Sequence, residues 1–183
     1  MRYIKYFFRD FLLYAAYGIM AWFIVAFIFG RIEYQPASKR VMVCFDATVE
    51  QRKLSVELEK NMPEGIKQVR AYALDYFMMD DGMISAGDIY ILQKEYAETV
   101  EYEFEGISPD MFKGDFEFLT ANNRIIGILV KRKGQPGVAD AFVDYRDADY
   151  YLCFKAGSGH IKTITGTGDD AAMSVFYDLI KLK

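Results

Sequence analysis

The chain contains one histidine, His160, two residues after Ser158 in Gly157-Ser158-Gly159-His160, and acids are plentiful. A serine, a histidine and a carboxylate are the parts of a nucleophilic hydrolase, in which the imidazole takes the hydroxyl proton. The local pattern argues against that use. No G-x-S-x-G elbow is present, and the segment after Ser158 reads as loop, not as a strand-to-helix turn. Gly166-Thr167-Gly168 precedes a helix, as a phosphate cradle would, but Asp169 and Asp170 at that helix start repel phosphate. Asp80, Asp81 and Asp88 lack the twelve-residue ligand spacing of a calcium loop. Two cysteines without a C-x-x-C, beside one histidine, cannot complete a zinc site. No metal or cofactor is expected.

The elements that position these residues follow from apolar periodicity. Val41 to Phe45, Ile125 to Val130 and Tyr150 to Phe154 are continuous apolar runs and read as strands buried on both faces. Lys67 to Ala73 and Asp88 to Leu92 read as two further strands. Thr48 and Gln51 have capping-box spacing, followed by Leu54, Leu58 and Met62 four apart. Tyr96, Val100 and Phe104 mark a second amphipathic helix, and Asp75 caps a short one through Met79. Residues 107–124 read as irregular, and Lys131 to Gly137 as an exposed basic loop. The last helix starts at Asp169 as N-cap and buries Ala172, Val175, Phe176 and Leu179. Strands alternating with helices predict an α/β fold: one mostly parallel, three-layer domain. Open α/β sheets bind ligands at the carboxyl edge of their strands. Asp46, Tyr72, Asp75, Gln93 and Lys94 belong at that edge and are the candidate ligand-binding residues.

One stretch sets the location of everything else. Phe11 to Gly30 is twenty residues without a charged side chain, roughly 30 Å as a helix, the hydrocarbon thickness of a bilayer. The organisation expected is a short cytoplasmic tail (1–10), a transmembrane helix (11–30), a linker (31–40) and a domain (41–183). Arg2, Lys5 and Arg9 precede the helix, against Arg31, Lys39 and Arg40 after it, which favours an inside N-terminus only slightly. The domain is then outside, at the cell membrane. Residues 32–183 carry 18 basic and 25 acidic side chains, which disfavours nucleic acid as a partner. The partners expected are the lipid bilayer and either a membrane protein or a second copy of this chain. Cys44 and Cys153 read as small buried hydrophobes or as a disulfide between an early and a late strand.

Gly65 to Phe104 resembles the early part of bacterial periplasmic solute-binding proteins. Ile66 to Ala73 stands where those proteins have a strand of the "gikV" kind. Ser85-Ala86-Gly87-Asp88-Ile89-Tyr90-Ile91 stands where they have a small-residue-Asp-apolar strand. Tyr150 to Phe154 and Asp169-Asp170-Ala171-Ala172 resemble the return to the first lobe. The resemblance implies one lobe of a two-lobed binding fold. It has departures: about 152 residues leave room for one complete lobe and at most a remnant of the other, and no lipobox cysteine is present. The expected function is a membrane-anchored, extracytoplasmic binding or accessory module without catalytic activity. The alternatives are a membrane-bound hydrolase using Ser158 and His160, and a structural envelope protein without a ligand.

Overall fold

The computed structural model describes residues 11–12, 14–26, 35–74, 87–162 and 168–182. The chain divides into two compact units, 1–36 and 37–183. In the first, residues 14–26 form helix α1, with most of its apolar side chains exposed, Trp22 and Phe23 among them. Among the described residues no helix is long and apolar enough to cross a membrane. The predicted span of 11–30 includes residues 13 and 27–30, which lie outside the described residues.

The second unit is an α/β domain. Its strands are β1 (Arg40–Phe45), β2 (Thr48–Val49), β3 (Gln68–Ala73), β4 (Ile89–Gln93), β5 (Phe118–Ala121), β6 (Arg124–Lys131), β7 (Val143–Asp144) and β8 (Tyr150–Phe154). Its helices are α2 (Gln51–Leu58), α3 (Lys94–Thr99) and α4 (Ala171–Lys181). Six strands form one sheet in the order β3-β1-β4-β8-β6-β5. β1 pairs in parallel with β3 and β4, whereas β4-β8, β8-β6 and β6-β5 are antiparallel. The sheet is therefore mixed, which corrects the mostly parallel expectation. A strand buried on both faces carries the same apolar run in either direction, so the run at β8 did not reveal its reversal.

Alternation in the strands divides the core between the two faces. Val41, Val43, Phe45, Ile89, Ile91, Leu152 and Phe154 share one face with Leu54 and Leu58 of α2 and Val175, Phe176 and Leu179 of α4. Cys44, Tyr90, Leu92, Ile126, Tyr151 and Cys153 share the other with Ala97 and Val100 beside α3. α2 also closes the β3 edge. Ala71 N donates to Ser55 Oγ at 2.9 Å and Val69 N to Glu59 Oε1 at 3.4 Å, so a helix serine and a glutamate occupy amides that a strange strand would otherwise pair.

Three local expectations change. Thr48 does not cap α2: it pairs with Asp144 in the β2-β7 ribbon, and the helix starts at Gln51 after Glu50. α4 has Asp170 at its N-cap position, although the Asp169 carboxylate still accepts the Ala171 N–H at 2.9 Å. Residues 118–121, read as irregular, form β5, joined to β6 by Asn122 and Asn123 at φ 45° and 61°. Two left-handed residues make a hairpin turn whose twist matches the strands.

The cysteines are both free and buried. Cys44 pairs in register with Tyr90, and Tyr90 with Cys153, so a whole strand separates them. Two strand spacings are about 9.6 Å, beyond disulfide reach of about 7 Å. Burial pushes the Cys44 thiol up to about 12, with the Asp88 charge adding to it and the Tyr90 hydrogen bond opposing; burial raises Cys153 as well. Gly127 completes this row. A Cβ there would lie 2.8 Å from Cys153 Sγ and 3.2 Å from the Leu152 carbonyl. Gly127→Ala is predicted to destabilise the domain by about 1–3 kcal/mol. In urea unfolding, adding Cys153→Ala should recover part of that loss, because it removes the sulfur the new methyl strikes.

Candidate functional site

The carboxyl end of β1 is held on both sides. Asp46 N donates to the Ile91 carbonyl at 2.8 Å, and Leu74 N to the Phe45 carbonyl at 2.7 Å. From β1 the chain enters α2 on one face of the sheet; from β4 it enters α3 on the other. That divergence makes the gap beyond β1 and β4 the topological switch point of the sheet, where α/β sheets open a crevice.

A cleft of about 690 Å³ opens at the ends of β1 and β3, lined by residues that include Asp46, Thr48, Gln51, Leu74, Asp144 and Arg146. The β2-β7 ribbon builds its wall. Glu50 N donates to the Phe142 carbonyl at 2.9 Å, and this pairing carries Asp144, Tyr145 and Arg146 over the end of β1. Asp46 is 3% exposed. Its charge reaches Tyr96 and Tyr150, where burial first and that charge after it hold both phenols above their ordinary range.

Tyr150 is the inner support of this edge. Its hydroxyl accepts the Arg146 N–H at 3.2 Å and is hydrogen-bonded by the Gln93 side chain. The Tyr145 ring stands edge-on to it at 4.9 Å. Tyr145 donates its hydroxyl to the Val138 carbonyl at 2.9 Å, and burial keeps the phenol protonated. Gly137 makes room for that ring, since a Cβ there would lie 2.8 Å from it. On the other side, Lys131 sends its ammonium over the Tyr150 ring, 5.8 Å from the centroid, and donates to the Ala148 carbonyl at 3.1 Å. Lys131 is buried at the end of β6, not on the exposed basic loop where the sequence placed it.

Of the five predicted residues, Asp46 lines the cleft, whereas Gln93 bonds the Tyr150 hydroxyl and is not among the lining residues. Tyr72 lies on the β3 edge in register with Cys44 and is not among the lining residues. Lys94 pairs weakly with Glu98 at 3.9 Å on the surface of α3. Asp75 lies outside the described residues. The sequence reading missed Asp144, Arg146, Lys131 and Tyr150. The first two stand in residues 138–149, where no apolar periodicity marks an element, and the five acids and bases from Asp140 to Asp149 are the one available signal.

A second polar cluster lies at the opposite end of the strands. Ser158 donates its hydroxyl to Asp88 Oδ1 at 2.6 Å, and Asp88 Oδ2 accepts the Met42 N–H at 2.8 Å. Ser158 Oγ faces the backbone N–H of His160 at 3.1 Å, not the ring. The His160 ring is occupied at both nitrogens: Nδ1 lies 3.1 Å from Asp169 Oδ2, and Nε2 lies 2.8 Å from the Ala37 carbonyl. Both ring nitrogens face other oxygens, so the ring presents no lone pair to the Ser158 hydroxyl. The Ser158-His160 pair is therefore not assembled as a nucleophile and base. Among the described residues no group of three or more histidines, cysteines and acids is placed to hold a metal ion.

No protein-family model, no curated protein and no solved structure matches the chain. The Ser158 geometry predicts that a fluorophosphonate probe leaves Ser158 unmodified in the folded chain. Mass spectrometry of the treated protein checks this, and an adduct at Ser158 would restore the hydrolase reading.

Proposed function

We propose that this domain is a non-catalytic binding module, held at a membrane by the apolar segment 11–30, whose site is the cleft at the carboxyl ends of β1 and β3. The observation that carries the reading is that cleft, at the carboxyl ends of β1 and β3 around the buried carboxylate of Asp46, the edge where α/β sheets bind ligands. Its lining mixes charges: Asp46 and Asp144 are anionic and Arg146 is cationic. A lining of both signs suits a small polar solute bearing a cationic and an anionic group, each of which needs a partner once water leaves. The occupied His160 ring supports a binding role over hydrolysis.

The resemblance of Gly65 to Phe104 to solute-binding proteins agrees with this reading, as one lobe of such a fold. A single lobe cannot close a clamp on a solute by itself. The domain would work beside a fixed partner in the membrane, and the exposed apolar face of α1 supports a tether. The domain, by this reading, stands outside the cell.

The test is a thermal-shift screen of the full chain in detergent against amino acids, sugars, short peptides and divalent ions. A ligand at a hundred times its Kd adds about 2.7 kcal/mol to the folded state, a rise of roughly 5–10 °C for a domain of this size. Arg146→Ala and Asp46→Asn are expected to abolish that rise while the ligand-free protein remains folded. A screen in which no compound raises the midpoint would favour a structural envelope role instead.

A further inference from the structure

His160 ties together three separate parts of the domain. Its Nε2 lies 2.8 Å from the carbonyl of Ala37, in the 3-10 turn (Ala37–Lys39) through which the chain enters the domain. Its Nδ1 lies 3.1 Å from Asp169, whose carboxylate also holds the first amide of α4. Its backbone N–H donates to Ser158 and its carbonyl accepts from Ala172. Only an imidazolium donates from both ring nitrogens. A neutral imidazole leaves one nitrogen lone pair facing an oxygen lone pair, either at Ala37 or at Asp169.

The ring is 4% exposed as part of its residue, so water does not replace the lost donor without opening the contact. The charged carboxylate of Asp169 is a stronger acceptor than a carbonyl, so a neutral ring keeps its proton on Nδ1 and turns its Nε2 lone pair on the Ala37 carbonyl, which can part from it only if the turn unwinds. What holds the turn from the sheet side begins at Lys39, whose carbonyl accepts the Lys67 N–H at 2.8 Å. Release at Ala37 would thus run up to Lys39 and stop there.

We propose that protonated His160 is a pH-dependent latch that fastens the entry turn Ala37–Lys39 to the body of the domain and releases it when the imidazole becomes neutral. Freed residues span about 3.3–3.6 Å each when extended, against about 2 Å in a 3-10 turn, so release of Ala37 and Ser38 lengthens the entry segment by about 3 Å. The charged groups around the ring favour the closed form. Asp169 and Asp170 stand at the start of α4 and Asp88 at the start of β4; the cations nearby in sequence are Lys39 and Arg40 on the entry segment, Lys162 after the loop, and Lys155, which is paired with Glu103. Burial pulls the imidazole down, but the hydrogen bonds to Ala37 and Asp169 and the charges of Asp88 and Asp169 outweigh it and hold the group above 6.5. A folded-state value above the unfolded one means the latch is fully closed below pH 6.5 and is lost as pH rises through the raised value.

Because His160 is the sole histidine in the chain, its ring Cε1–H gives one NMR signal to follow. The experiment titrates the full chain in detergent from roughly pH 5 to pH 9, where histidines titrate. It follows that signal together with amide-exchange protection at residues 37–40. The midpoint is expected above 6.5, and protection of the entry turn should fall in step with it. The fall should be about tenfold for each pH unit by which the midpoint exceeds 6.5. In His160→Gln the same amides should exchange fast at every pH. If that variant fails to fold, Asp169→Asn serves: it should lower the midpoint and move the protection change down by the same interval. A midpoint below 6.5, or protection that ignores the titration, overturns the latch.

Discussion

The sheet changes direction at β4, and one aspartate fastens that change. Asp88 makes four hydrogen bonds at the entrance to the strand. Its N–H donates to the Met42 carbonyl and its carbonyl accepts from Lys155, which locks β1 on one side and β8 on the other. Its carboxylate takes the Met42 N–H with one oxygen and the Ser158 hydroxyl with the other. A carboxylate that accepts from a backbone amide and a hydroxyl makes charge-assisted bonds, stronger than neutral ones. The neighbouring Tyr90 hydroxyl accepts the Gly87 N–H at 2.7 Å, so the approach to the strand is also fixed. From Ser158 the same network passes to His160, Asp169 and Ala37.

This arrangement explains why the two ends of the sheet differ. At the amino end of β1 and β4 the polar groups satisfy one another, and the serine and histidine that look reactive in sequence are consumed in holding strands, loop and helix together. At the carboxyl end the chain leaves β1 and β4 toward opposite faces, and a cleft opens at the ends of β1 and β3. The β2-β7 ribbon and the residues after it line that cleft with Asp144 and Arg146, and the Tyr145-Tyr150 pair, with Lys131 over the Tyr150 ring, packs beside them. Structure and opening are thus two consequences of one topology.

Much of this was legible in the residues. The apolar runs at 41–45, 89–92, 125–130 and 150–154 are strands because their side chains are buried on both faces, and Asp46 and Gln93 fall at the carboxyl edge because strand ends follow from those runs. Strand direction was not legible, since nothing in YYLCF encodes whether its neighbour runs with it or against it. Thr48 satisfied a capping pattern, yet pairing with Asp144 won, because capping is worth about 1 kcal/mol and competes with tertiary contacts of similar size. The β5-β6 hairpin was missed inside residues 107–124, although Asn122-Asn123 carries a signal for it in the left-handed conformation asparagine tolerates. Tyr150 read as core, correctly; what the sequence could not convey is that its hydroxyl lies at the site edge, bonded to Arg146 N and Gln93.

The most direct measurement is the unfolding free energy of Asp88→Ala in the full chain, by denaturant titration in detergent. Removing the carboxylate leaves the Met42 amide and the Ser158 hydroxyl without their acceptor, at about 1–3 kcal/mol for each group so stranded. The account predicts a loss of about 2–6 kcal/mol, larger than that of Ser158→Ala. A variant as stable as the wild-type chain would contradict it, because the sheet's reversal would then not depend on Asp88.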